Sequence, residues 1–234
     1  MKIRIKFEKT GSMKFIGHLD LLRYFQKAIR RAELPIAYSG GYSPHQIMSF
    51  ASPLGVGLTS VGEYMDIEIT QPISSTEAIR RLNQAMVEGM KISQFRLLED
   101  TSKNAMSIVA GAEYCVYAKN ANQPLLSSKE VADFLSQPTI LVEKQTKKSV
   151  TEIDLKEGII LGEMRTYLDQ DCYYFKVHAG SVQNIKPELI LEALYAYVQK
   201  PLSLDSLQVH RLDLYCEQED KLISLGDLGV DIDE

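Results

Sequence analysis

Cysteine is scarce in this chain. The 234 residues include three cysteines, Cys115, Cys172 and Cys216, which are odd in number and widely spaced, with no CxxC pair. Zinc and iron–sulfur sites use cysteines or histidines at short, regular spacing, and these cysteines form no such cluster, so we expect no metal site and no iron–sulfur cluster held by this chain alone. Such cysteines are typical of reduced thiols in a cytoplasmic protein.

Long apolar stretches are also missing. No run of apolar residues approaches the roughly 20 that a membrane-spanning helix needs. The first residues, MKIRIKFEKTG, alternate charged and apolar side chains and lack the continuous apolar region of a signal peptide. An apolar content of 45% is instead sufficient for one large core or two small ones. We therefore expect a globular, cytoplasmic protein that does not associate with a membrane.

Charge is distributed unevenly along the chain. Residues 1–55 contain nine Lys or Arg and three acidic residues, a balance of +6, although the whole chain carries −5. The remainder must carry −11, much of it in residues 217–234. An anionic partner would therefore meet the N-terminal segment.

Hydrophobic periodicity predicts an α+β fold. Residues 2–8 alternate with period two, as in a half-buried strand, and residues 20–33 have the apolar face of a helix that Asp20 would cap and Pro35 would end. With a second helix from Ser75, the order over residues 1–100 is strand, helix, strand, strand, helix, strand. That order is typical of a ferredoxin-like domain.

The same order recurs in the second part of the chain. After a short polar boundary, residues 106–226 repeat it with additional strands in the middle, while residues 227–234 form an acidic tail that we expect to be frayed. The sequence therefore predicts two tandem ferredoxin-like (βαββαβ) units, the second elaborated with extra strands.

A stripe of four basic residues lies opposite the apolar face of the first predicted helix: Arg23, Lys27, Arg30 and Arg31. A solvated helix face is the usual role of such residues. The strand before the helix is also basic, however, and no acid four residues away balances the stripe. An anionic ligand is therefore a second interpretation, and RNA is the candidate because paired ferredoxin-like sheets can bind a single strand, an argument from fold analogy.

The segment Ser39–His45, SGGYSPH, is the most specific loop in the sequence. Its Gly-Gly pair gives backbone freedom and Pro44 stiffens the far end, so Tyr42 and His45 would be held in a short loop. Such loops are often binding sites, although an ordinary turn between strands explains the same residues equally well.

His18 and Asp20 form the one pair that could support acid–base chemistry. With His45 they could serve an RNA-processing or RNA-modifying enzyme, provided that the side chains converge within about 3–5 Å. The structural alternative is that Asp20 caps the helix and His18 packs against its first turn.

Residues 14–69, KFIGHLDLLRYFQKAIRRAELPIAYSGGYSPHQIMSFASPLGVGLTSVGEYMDIEI, carry a family resemblance that continues loosely to VHRLDLY at 209–215. The sequence resembles the radical-SAM-linked family of uncharacterised bacterial proteins, the DUF2344 type. The residues that match the family pattern are His18, Leu19, Asp20, Arg23, Tyr42 and Pro44. The chain departs from that pattern at Gly17, where many members have Ser, and at Gln46, where many have Pro.

The resemblance implies a role beside another protein. In that family the domain is fused to, or encoded beside, a radical SAM protein with a cobalamin-binding region. It implies a non-catalytic accessory module that binds no cofactor itself and recognises RNA (tRNA or rRNA) for modification, while the radical SAM partner carries S-adenosylmethionine, an iron–sulfur cluster and cobalamin. A protein-only adaptor that docks this partner is the further alternative. The predicted nucleic-acid-binding residues are Arg23, Lys27, Arg30, Arg31, Tyr42 and His45.

Overall fold

The computed structural model describes residues 1–120, 124–145, 150–180 and 183–233 and divides the chain into two compact units. The first unit comprises residues 1–110 and 213–234, and the second comprises residues 111–212. The division therefore differs from the predicted one, which assigned residues 106–226 to the second domain. The C-terminal residues belong with the first unit because their hydrogen bonds are made to it.

Four strands and two helices from the first hundred residues build most of the first unit. Strands β1 and β4 pair antiparallel, as do β1 and β3, and β2 pairs antiparallel with β3, so the order is β4-β1-β3-β2. The elements are β1 (Lys2–Lys9), α1 (His18–Arg31), β2 (Met48–Phe50), β3 (Thr59–Glu68), α2 (Ser75–Ala85) and β4 (Met90–Leu98).

The core of this unit lies between one face of the sheet and the two helices. Alternation in β1 directs Ile3, Ile5 and Phe7 to that face, where all three are fully buried. Phe7 meets Phe25 of α1 edge to face, with ring centroids 4.8 Å apart. The opposite face carries the charged residues of β1, so the alternation in the sequence sorts the strand correctly.

Helix α1 begins two residues earlier than predicted. Its N-cap is Gly17, whose carbonyl accepts a 2.9 Å hydrogen bond from the Leu21 amide. Asp20 is therefore not the cap. It lies in the first turn, where its carboxylate interacts favourably with the helix dipole. The helix ends at Arg31 and not at Glu33, which takes a left-handed φ of 52°.

The second unit contains most of the remaining strands. Strand β9 pairs antiparallel with β5 and with β8, in the order β10-β5-β9-β8, and β6 and β7 form a separate antiparallel pair between α4 and β8. The sequence SSKE at residues 127–130 resembles a capping box and predicts a helix start at Ser127. The structure confirms this, since Ser127 and Glu130 bond reciprocally. The elements are α3 (Ala105–Ile108, in the first unit), β5 (Val109–Ala118), α4 (Ser128–Leu135), β6 (Leu141–Gln145), β7 (Val150–Asp154), β8 (Ile159–Tyr167), β9 (Gln170–His178), α5 (Pro187–Tyr197) and β10 (Leu207–Gln218).

The C-terminal residues return to the first unit and are not frayed, contrary to the expectation. Strand β10 crosses the unit boundary, and its second half, next to β3, pairs with β11 (Lys221–Ser224). Val230 then exchanges two backbone hydrogen bonds of 2.8 and 3.0 Å with Leu97, and the Ile232 amide donates to the Ser75 hydroxyl at 2.9 Å. Backbone pairing therefore holds this acidic segment. The predicted α+β class is confirmed.

Candidate nucleic-acid interface

The basic stripe occupies the solvent face of α1. Leu21, Phe25 and Ile29 are buried on the other face, so the helical period leaves Arg23, Lys27, Arg30 and Arg31 exposed. Arg23 is 69% exposed and contacts Asp20 at 3.3 Å, a surface pair of small energetic value. The stripe therefore presents positive charge to solvent, as the sequence predicted.

The other three cations of the stripe are not neutralised by acids within the described residues. The Arg30 Nε donates to the Gln26 carbonyl at 3.3 Å, and Arg31 donates to the Ala85 carbonyl at 2.8 Å. Lys27 makes no hydrogen bond or ion pair within the described part of the chain. These groups keep their charge available to an external anion.

The loop between Ser39 and His45 is closed at its neck. The Ser39 amide donates to the His45 carbonyl at 2.8 Å, the His45 amide donates to the Ser39 hydroxyl at 3.1 Å, and that hydroxyl lies 2.9 Å from His45 Nδ1. Gly41 has a φ of 98°, which explains a glycine there. Tyr42, at the tip, is fully exposed, so its ring is free to stack on a planar ligand.

A single backbone carbonyl joins the loop to the basic helix. Gln46, buried directly after the loop, donates through Nε2 to the Gln26 carbonyl at 3.2 Å, and Arg30 donates to the same oxygen. The loop neck therefore lies beside the middle of the stripe. The side-chain amide of Gln46 makes this contact, which is not available to a residue without a side-chain donor.

Two arginines that the sequence argument missed extend the basic surface. Arg80 and Arg81 of α2 line an open polar groove of about 480 Å³ together with Arg31. Glu77 accepts bonds of 2.6 to 2.7 Å from Arg80 and Arg81, and these bonds lower the pKa of Glu77 to about 2. The i+3 and i+4 spacing after Glu77 was the only sequence signal, and it indicated an ion pair on a helix surface.

The proposed catalytic residues have three different partners. The His18 ring packs edge to face on Phe50 with centroids 5.4 Å apart, Asp20 contacts Arg23, and His45 bonds to Ser39. No hydrogen bond or ion pair joins any two of these three residues, all of which are described. The geometry therefore places His18 against an aromatic ring, Asp20 in a surface ion pair and His45 in the loop neck.

A buried polar cluster on the charged face of the first unit's sheet was not anticipated. Asp213 accepts hydrogen bonds from the Tyr64 hydroxyl and from the Ser224 hydroxyl, the latter at 2.7 Å, and lies 3.3 Å from Lys6 Nζ. Burial and the neighbouring Asp213 raise the pKa of Tyr64, so the phenol stays protonated. The cluster fixes β10 and the residues after it to the sheet.

Gly226 makes the close approach above this cluster possible. A Cβ at Gly226 would lie 2.6 Å from Gln94 Oε1 and 2.9 Å from the Tyr64 hydroxyl. Only glycine fits there without a shift of the neighbouring groups. The described residues contain no group of three or more His, Cys, Asp or Glu suited to a metal ion, and none of their helices has the length and apolar character that crossing a bilayer requires.

Comparisons with known proteins identify a family. No curated protein matches the sequence. One solved structure, "Crystal Structure of a Cbf5-Nop10-Gar1 Complex", contains a chain that is similar to this protein. The similarity covers 93% of the present chain and 50% of the chain in that structure, at 9% identity and a TM-score of 0.47. This chain thus spans half of that one. The family described as "Uncharacterized protein conserved in bacteria (DUF2344)" matches residues 2–187. The chain belongs to the DUF2344 family, as its sequence predicted.

Proposed function

We propose that this chain is a non-catalytic accessory module that recognises RNA, either tRNA or rRNA, for a radical SAM enzyme. The observation that supports this proposal most directly is the juxtaposition on the first unit. The exposed cations of α1 lie beside a closed loop whose Tyr42 ring is fully exposed, and Gln26 joins the two.

The chemistry of this surface suits a single-stranded segment. Arg and Lys side chains would contact phosphates, which supplies affinity without sequence preference. An exposed tyrosine beside them offers a stacking platform for an unpaired base, a contact worth about 1–3 kcal/mol in single-strand binding proteins. His45, which lies at the loop neck, would orient the loop through Ser39.

The proposed role is recognition because no hydrogen bond or ion pair joins the candidate catalytic side chains. His18, Asp20 and His45 are each engaged separately, so proton transfer between them has no direct path. The chemistry would then belong to the radical SAM partner, which would carry S-adenosylmethionine, the iron–sulfur cluster and cobalamin.

We also infer that both units are ferredoxin-like. The first has the order β4-β1-β3-β2 with antiparallel neighbours, and the second has β10-β5-β9-β8, which is the same order when its four strands are counted along the chain. The β6–β7 pair is then the elaboration of the second unit. This inference rests on strand order and on the positions of the helices along the chain.

Binding of fluorescently labelled RNA tests the proposal. Anisotropy titrations of the full chain with tRNA and with a single-stranded oligonucleotide, each at several salt concentrations, should give an affinity that falls as salt rises. The Arg30→Glu variant should weaken binding at least tenfold. Lys129→Glu, the same charge change on exposed α4, is the matched control and should have little effect.

Two results would contradict the proposal. One is the absence of measurable affinity for either RNA, and the other is affinity that does not depend on salt. Equal losses in Arg30→Glu and Lys129→Glu would show that binding follows net charge and not this surface.

A protein-only adaptor is the second candidate, and exposed apolar side chains favour it. Phe15 and Leu19 are each 66% exposed and Val56 is 60% exposed. The Gly57 amide donates to the Lys14 carbonyl at 2.8 Å, so the segment with Val56 lies beside Phe15. Co-purification with a radical SAM protein that is lost in Leu19→Ser, with no RNA in the complex, would favour this role.

A further inference from the structure

Arg4 is a buried cation with an unused donor. The side chain is 2% exposed, and its Nε and Nη2 atoms donate to the two Asp66 carboxylate oxygens at 2.8 and 2.9 Å. Its remaining nitrogen, Nη1, is buried and makes no hydrogen bond within the described residues. A buried N–H group without an acceptor is unfavourable, and such groups are rare in folded proteins.

The direction of Nη1 follows from the shape of the guanidinium group. Nε and Nη2 form the edge that meets Asp66 on β3, so Nη1 lies on the side turned away from that carboxylate. Arg4 is opposite Asp66 on one neighbouring strand and opposite Arg96 on the other. No acid on β4 therefore competes for Nη1.

Arg4 borders a cavity of the first unit. It has a volume of about 690 Å³, which is within the range of about 300–1,000 Å³ typical of metabolite sites. Leu97, Leu98 and Val230 give it apolar walls, and Cys216 borders it as well. Burial raises the pKa of the Cys216 thiol, and the positive charge of Arg4 partly offsets this rise, so the two groups are close.

The other charged groups around the cavity indicate what kind of ligand it suits. Lys103 is exposed at the border and has no partner within the described ranges. Glu99 and Glu217, both exposed, also border it. Since Asp66 already neutralises Arg4, a large polyanion is disfavoured. A small molecule with one compact anionic group and hydrogen-bond donors elsewhere could pair with both the basic and the acidic residues around the cavity.

We propose that this cavity is a binding site for a small organic anion, whose carboxylate or phosphate oxygen accepts hydrogen bonds from Arg4 Nη1 while Lys103 contacts the same group. Glu99 and Glu217 would accept from donor groups at the other end of the ligand. The site is separate from the basic face of α1 and does not depend on RNA binding.

Titration of the ¹⁵N-labelled full chain with sodium phosphate and, separately, with sodium acetate tests the proposal. Ionic strength is held constant with sodium chloride, and amide shifts are followed at Leu98, Cys216 and Val230. Saturable shifts at these positions are expected, and the tighter of the two anions identifies the group that the site takes. Lys103→Ala should weaken binding at least threefold, whereas Lys91→Ala, an exposed lysine remote from the lining, should not.

A blocking variant keeps the test independent of the Arg4–Asp66 pair. Ser102 borders the cavity, so Ser102→Trp should fill it and abolish the saturable shifts, while an unchanged melting temperature shows that the fold is kept. Shifts that never saturate, that persist in Ser102→Trp or that are unchanged in Lys103→Ala would indicate an adventitious ion only. Those results would overturn the proposal and leave Arg4 Nη1 to a buried water.

Discussion

Two charged regions of the first unit use the same residue types in opposite ways. On α1, Arg23 is 69% exposed and its acidic neighbour Asp20 is 67% exposed. In the sheet, Arg4 is 2% exposed and its partner Asp66 is 13% exposed, with two direct hydrogen bonds. The first pair is screened by water, whereas the second must remain intact because the buried Arg4 cannot be solvated without its partner.

This difference separates charges that serve the fold from charges that are available to a partner. Asp66 also accepts a 2.7 Å bond from the Ala105 amide, so the buried pair organises the segment after β4. Asp213 likewise contacts groups from three strands: Lys6 of β1, Tyr64 of β3 and Ser224 of β11. The side chains of the stripe on α1 hold no strand in place, and they remain solvated, so they contribute little to the free energy of folding. Substitutions that test the two classes should therefore differ widely in their effect on stability.

The largest effect is expected from Asp66→Ala. Removing this carboxylate leaves Arg4 buried without a counter-charge, which should lower the free energy of unfolding by about 3–5 kcal/mol. Urea unfolding measures it. The matched control is Asp20→Ala, where the exposed pair should contribute no more than about 0.5 kcal/mol. Equal costs for the two variants would remove the distinction between the regions.

The next effect concerns the buried histidine, His210. Burial lowers the pKa of His210 to about 4, against about 6.5 in the unfolded chain. The unfolded state therefore binds the additional proton first, and stability should be lost as the pH falls from about 6.5 towards 4, by roughly 2–3 kcal/mol. His210→Gln should have a flatter profile over this range. A wild-type slope in His210→Gln would contradict the assignment.

Tyr64→Phe should have a smaller effect. The variant loses the hydroxyl that donates to Asp213, for an expected cost of about 1–2 kcal/mol at pH 7, because Lys6 and Ser224 still contact the carboxylate. The pKa of Tyr64 is raised in the folded chain, so its contribution is complete below about pH 10 and is lost as the pH rises further. Tyr64→Phe should therefore lose less stability at alkaline pH. Tyr42→Phe, at an exposed ring, is the control.

The smallest change in stability, within about 0.5 kcal/mol, is expected from Lys27→Ala. If the proposed RNA recognition is correct, the same variant should bind RNA several-fold more weakly. The slope of log affinity against log salt should fall by about 0.7 to 0.9, as for one lost phosphate contact. Thermal unfolding and anisotropy together provide the measurement. A loss of stability without a loss of affinity would place Lys27 with the structural charges.

Local patterns carried much of the prediction. Alternation located β1 within one residue, and the capping box located the start of α4 at Ser127, because both depend on neighbours in the sequence. The error at α1 has a local cause as well. A carboxylate two or three residues into a helix resembles a cap, whereas the observed cap, Gly17, makes no side-chain bond.

Contacts between distant residues could not be predicted in this way. Tyr64 and Asp213 are separated by 149 positions, and Ser75 and Ile232 by 157. Neither pair has a spacing signal, since the sheet brings them together through strand order. For the same reason the C-terminal segment looked like a frayed acidic tail, although its backbone pairs with Leu97.

The sequence by itself determined the family, through the resemblance of residues 14–69. It also determined the α+β class and the sign of the charge on the exposed face of α1, because periodicity and local composition encode these two properties. Only the tertiary structure decided which charges are buried, that the loop carrying Tyr42 adjoins the stripe, and that Arg4 keeps an unused donor beside a cavity. The physical reason is that burial and hydrogen-bond partners depend on which strands become neighbours, and strand order is set by the packing of the whole unit.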